Sequence, residues 1–155
     1  MSHLEMRHFK INSFGEVMDM SDELAKAFPL PDQAKIGIYE LLLNALEHGN
    51  LELGYERKTE LLRLGKWEEE IQSRLLLPQY RERYVDIKLI TNDNSCSLSI
   101  KDQGKGFRWK HYITSMASGI KPNGRGLLIA FNCNFDHIKF NDIGNEVTCV
   151  AKLVR

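Results

Sequence analysis

The sequence predicts a single α+β sandwich, and two observations carry that prediction. Helix-spaced and alternating apolar stretches fall into groups instead of interleaving, which favours antiparallel strands beside helices over a doubly wound parallel sheet. A chain of 155 residues with 43% apolar and 27% charged side chains is long enough for one well-buried core without metal or disulfide staples. The first alternating stretch, 4–11, reads as an edge strand. Residues 16–28 carry Val17, Met20, Leu24 and Phe28 near helical spacing and stop at Pro29-Leu30-Pro31. Asp32 is placed to cap the next helix, which runs through Ile36, Leu43 and Leu46 as buried positions to Gly49 as its stop. The segment 52–83 differs in composition. It is crowded with Glu, Lys and Arg, with Leu61, Leu62, Leu64, Trp67, Ile71 and Leu75 at intervals of three and four. This reads as one or two amphipathic helices broken near Gly65 and ended by Pro78, their apolar stripe packing on the body or on a partner. Residues 85–91 and 96–101 alternate around an Asn92-Asp93-Asn94-Ser95 turn and form a hairpin. A short apolar helix is expected over 126–133, then a strand pair over 135–140 and 146–154.

Lys plus Arg and Asp plus Glu each number 21, so the formal charge is zero. That balance argues against a general nucleic-acid binder or a polybasic membrane binder and leaves room for one local anion site. No apolar run approaches the ~18 residues that span a bilayer, and the first residues lack a signal-peptide apolar region. Cys96, Cys133 and Cys149 are odd in number and have no Cys-x-x-Cys spacing, so neither a disulfide framework nor a zinc site is indicated. The expectation is a cytoplasmic protein with reduced, mostly buried cysteines, binding neither membrane nor nucleic acid directly.

Three short stretches carry chemistry. Glu40, Asn44 and His48 are spaced four apart and share one helix face. An Asn carbonyl oxygen suits a hard cation such as Mg²⁺, and a Glu one turn away could deprotonate a hydroxyl. An amphipathic surface helix with ordinary polar residues accounts for the same pattern. Asp102-Gln103-Gly104-Lys105-Gly106 follows a strand: an ionised Asp accepts hydrogen bonds from a donor such as an exocyclic amine, and Gly104 and Gly106 let a flat base approach. A strand-ending glycine turn is the ordinary alternative. Gly124-Arg125-Gly126-Leu127 opens an apolar helix, whose unpaired N–H groups suit phosphate. It matches neither the Walker-type nor the Rossmann pattern, and a plain glycine-rich loop explains it equally.

Taken together, in this order and spacing, the three boxes resemble the ATP-binding fold shared by gyrase, Hsp90, histidine kinases and MutL (the GHKL superfamily). The likeness is greatest to its anti-sigma-factor serine/threonine kinase branch. Asn44-Ala45 with His48-Gly49-Asn50, and the ending Gly144-Asn145-Glu146-Val147-Thr148, are the details that carry it, over 32–153. The resemblance implies a two-layer sandwich of the Bergerat (histidine kinase-like ATPase) type, with a mixed, mostly antiparallel sheet covered on one face by helices. It implies one domain over 1–155 with a charged helical insertion at 52–83. Asn44 would hold Mg²⁺, Glu40 would be the catalytic base, and Asp102 would meet the adenine amine. Gly104 and Gly106 would lie beside the base, Gly124, Arg125, Gly126 and Leu127 at the phosphates, and Thr148 would support the adenine pocket. Residues 108–123 would form a lid, with Lys105, Lys121 and Arg125 as candidate phosphate contacts or simply solvated cations, and His48 as a minor candidate.

Two features depart from the family. No upstream phosphoacceptor helical hairpin is expected, and the insertion is longer than a minimal anti-sigma kinase needs. The function implied is an ATP- and Mg²⁺-dependent protein kinase acting on an anti-sigma antagonist, with a sigma factor or another signalling domain as second partner. A homodimer is suggested by the resemblance, although no heptad demands one. The alternatives are an ATP-dependent interaction module with little catalysis, and an α+β domain that binds no nucleotide.

Overall fold

A computed structural model describes residues 4–110 and 129–153. Its strands form one sheet in the order β1 (Glu5–Ile11), β2 (Val85–Thr91), β3 (Ser95–Lys101), β5 (Glu146–Lys152) and β4 (His137–Phe140). Every pairing among the described strands is antiparallel. The expected edge strand and first hairpin are therefore present. Asn92 closes that hairpin by accepting the Asn94 and Ser95 N–H groups at 2.8 Å each, as an Asx turn does.

Alternation decides which sheet face is covered. Ile11, Val85, Ile87, Leu89, Cys96, Leu98, Ile100, Val147, Cys149 and Ala151 are all buried on one face. Against them lie α1 (Val17–Ala25) and α2 (Pro31–Asn44), which contribute Val17, Leu24, Ile38, Leu41 and Leu42 to the same core. The other face carries His8, Asp86, Lys88, Ser97, Ser99 and Thr148, so polar side chains meet solvent there. The molecule is a helical layer on one side of an antiparallel sheet.

Details of α2 differ from expectation. Leu30 is its N-cap and Pro31 its first residue, with Asp32 inside the first turn; proline's fixed φ and missing N–H suit that position, which moves the start ahead of Asp32. The buried stripe runs Ala34, Gly37, Ile38, Leu41 and Leu42, and Ile36, expected inside, is 53% exposed on the opposite side. Gly49 does not stop the helix. After Asn44 the chain widens into a π-helical turn, Ala45–Asn50, closed by Leu51 N–H to Leu46 C=O at 3.0 Å. Such turns insert a residue and re-aim side chains, often at functional sites.

The charged segment forms two helices, α3 (Tyr55–Leu64) and α4 (Trp67–Leu75), separated by Gly65 in the left-handed conformation at φ 69°. Leu61 and Ile71 join Leu51 and Leu53 in a small second core, with Trp67 and Leu75 packed against it. The stripe thus packs on its own body, while Leu62 and Leu64 stay exposed. Further on, helical backbone at 129–131 gives way to a turn with Asn134 at φ 61°. The helix expected to reach Cys133 therefore ends earlier. Cys96 and Cys149 are buried and Cys133 is half-buried, all three free. No described helix is long and apolar enough to cross a membrane.

Candidate functional site

The ends of α2 and β3 meet at one glycine-lined knot. Asp102 follows directly on β3 and is buried at 8% exposure. Its N–H donates to the Asn145 C=O at 2.9 Å, and its Oδ1 accepts the Gly104 N–H at 2.8 Å. The carboxylate lies against Gly49, where any Cβ would overlap it, and Gly104 lies against the Gly49 carbonyl in the same way. Gly49 therefore serves as clearance for Asp102. The Gln103 N–H donates to Asn50 Oδ1 at 2.7 Å, which straps this loop to the π-helical turn. Gly106 (φ 83°) and Gly144 (φ 84°) interleave on the far side, where the Phe107 N–H donates to the Ile143 C=O at 2.9 Å. Only glycine adopts those angles without strain.

Beside the knot opens a cavity of about 260 Å³, whose walls include Leu41, Asn44, His48, Asp102, Phe107 and Asn145. Pockets that enclose a whole ligand usually measure ~300–1,000 Å³, and this one falls just below that range. Asn44 and Asp102, predicted from separate boxes, are brought together in its walls with Gly106. Gly104 contributes indirectly, by holding Asp102. Thr148 does not reach the cavity: it pairs with Ser99 and Lys139 on the open sheet face, because Val147 and Cys149 take the inward positions. The ending reaches the cavity through Asn145, whose Oδ1 accepts from Asn141 Nδ2 at 2.6 Å. Glu40 is half-buried one turn before Asn44 and is not part of the cavity wall. Gly124, Arg125, Gly126 and Leu127 lie outside the described residues, as do Lys121 and all but the first three residues of the expected lid.

Burial sets the electrostatics. It pushes the Asp102 carboxyl up to about 6, against the Gly104 N–H bond and the Arg83 charge, which pull it down. It pushes His48 down to about 3, so the imidazole is neutral at ordinary pH. Glu40 is raised, chiefly by burial, with the Lys58 charge opposing. A carboxyl raised by burial is a better proton acceptor than a solvated one.

Two residues that sequence reasoning missed shape the site. Glu47, 1% exposed, accepts hydrogen bonds from Lys58 Nζ at 2.9 Å and from Trp67 Nε1. It ties α3 and α4 to the π-helical turn. Its partners come from 11 and 20 residues away, and no local pattern announces them. Tyr55, the first residue of α3, donates its phenol O–H to Asn44 Oδ1 and stacks on His48 with ring centroids 3.7 Å apart. In the sequence only the Gly54-Tyr55 pair, an aromatic directly after a glycine, marked this position.

As for a metal, the described residues contain no cluster of three His, Cys, Asp or Glu side chains suited to one. The expected ligand, Asn44 Oδ1, is one neutral amide oxygen. That fits Mg²⁺ arriving with phosphate oxygens and its own waters, and would not fit a cation held by protein alone. Lys105, 88% exposed, is the described cation on the cavity wall. No family model matches the chain, and no curated protein matches it.

Proposed function

We propose that this chain is an ATP-binding regulatory domain of the Bergerat type, acting in bacterial signalling. The carrying observation is the joining of Asn44 and Asp102 in one cavity, with Gly49 and Gly104 clearing the space around the carboxylate. Asp102, held by the Gly104 N–H, accepts from the adenine amine, and its burial excludes competing water. Leu41, Ile100, Phe107 and Phe140 provide the apolar walls for the ring. Asn44 is the residue to hold Mg²⁺, which supplies charge neutralisation at the phosphates.

The reading extends to protein serine/threonine kinase activity towards an anti-sigma antagonist, with a sigma factor or another signalling domain as second partner. Glu40 takes the proton of the substrate hydroxyl as its oxygen bonds to the terminal phosphorus, while the bond from that phosphorus to the ADP oxygen breaks. Burial, which raises Glu40, equips it for that role. The separation of Glu40 from the cavity wall favours a second reading, an ATP-dependent interaction module with little transfer. Labelled ATP incubated with the chain and its purified partner distinguishes the two. Under the kinase reading the partner becomes labelled, and Glu40→Gln abolishes the label while leaving nucleotide binding intact. An unlabelled partner with normal binding selects the interaction module.

A further inference from the structure

Tyr55 occupies the place where the proposed nucleotide site would be loaded. Its phenol donates to Asn44 Oδ1, the one amide oxygen assigned to Mg²⁺, and its ring lies over His48 at 3.7 Å with planes 23° apart. Beneath it, His48 Nδ1 is buried with no hydrogen-bond partner among the described residues. A buried nitrogen left unpaired is costly and calls for an explanation. A second arrangement of the site, in which that nitrogen finds a partner, provides one. The chain reaches Tyr55 through two left-handed positions, Glu52 at φ 52° and Gly54 at φ 82°.

We propose that Tyr55 is a gate on the nucleotide site, closed where it lies over Asn44 and His48 and opened by a magnesium-bound polyphosphate. This rests on the nucleotide reading above. Mg²⁺ carried by the polyphosphate would take up the Asn44 oxygen that the phenol O–H now occupies. Displacing the ring uncovers His48 Nδ1, whose neutral imidazole can then pair with a ligand hydroxyl or a water. Tyr55 begins α3, and Lys58 one turn on is bonded to Glu47 at 2.9 Å, so the gating side chain rotates on a helix that stays anchored.

Calorimetric titration with ATP, with and without Mg²⁺, compares wild type, Tyr55→Phe and Asp102→Asn. Tyr55→Phe keeps the stack on His48 and removes the O–H held by Asn44. With Mg²⁺ present it binds roughly threefold to tenfold more tightly than wild type, the equivalent of one ordinary hydrogen bond. Without Mg²⁺ the two bind alike. Tighter binding by Tyr55→Phe, or binding by that variant alone, supports the gate. Equal or weaker binding by Tyr55→Phe, where wild type binds and Asp102→Asn does not, overturns the gate and leaves the nucleotide site standing. Absence of binding in all three proteins, or equal binding by Asp102→Asn, overturns the nucleotide reading and the gate with it.

Discussion

Asp102 is a buried carboxyl held at a cost to folding, and Asp102→Asn measures that cost. Burial moves its carboxyl from the ordinary 3.8 to about 6, which amounts to about 3 kcal/mol against the ionised form. The folded state therefore holds this proton more tightly than the unfolded state. The stability it contributes is full below pH 3.8, declines as pH rises, and is gone above about 6. Asparagine removes the charge and still accepts the Gly104 N–H, bonded at 2.8 Å in the wild type. Its amide nitrogen, pressed against Gly49, finds no obvious acceptor and costs about 1–2 kcal/mol. The variant is thus about 1–2 kcal/mol more stable than wild type at pH 7.5, and the advantage disappears or reverses by pH 4. His48 titrates in the opposite sense, since its depressed value favours folding at high pH, but it is common to both proteins and cancels. Urea unfolding of the pair at several pH values reads the difference. A variant less stable than wild type at pH 7.5, or a difference independent of pH, would refute the reasoning.

Three further outcomes follow from the same geometry. Gly49→Ala places a methyl group on the Asp102 carboxylate; it costs about 1–3 kcal/mol in thermal unfolding and removes nucleotide binding. Gly15→Ala, where nothing lies within 4 Å of the added methyl, does neither. Glu47→Ala strands Lys58 and the Trp67 N–H. Because Lys58 keeps 28% of its surface in solvent, the loss is about 2 kcal/mol, below the roughly 3–5 kcal/mol of a fully buried pair, and Trp67 emission reports the loosened insertion. Nucleotide affinity falls as pH drops through about 6, because protonated Asp102 no longer offers a full acceptor to the adenine amine; titrations at pH 7.5 and 5.5 check it.

Elements with a local period were legible in the sequence. Residues 85–91 alternate Val85, Ile87 and Leu89 with polar neighbours, and the strand has those bounds; the pattern is set by one buried face and needs no distant information. Gly65 likewise marked the break between α3 and α4. The π-helical turn was not legible, because Gly49 reads as a helix stop when only its backbone freedom is considered. Its actual role is lack of bulk, and that depends on Asp102 arriving from 53 positions downstream. Glu47 was hidden for the same reason, since its burial is made tolerable by partners on another element. Thr148 is a different case. The alternation of Val147, Cys149 and Ala151 already assigns it to the open face, so period-2 reasoning contained the answer and Asn145 was the residue to choose.

The central claim is that Asn44 and Asp102 form a nucleotide site. Its most direct test is calorimetric titration of the purified protein with ATP in the presence and absence of Mg²⁺, run beside Asp102→Asn after unfolding measurements have established that the variant is folded. The account predicts saturable binding strengthened by Mg²⁺ in wild type and its loss in the variant. Equal heats in the two proteins, or no binding by wild type under either condition, would contradict it.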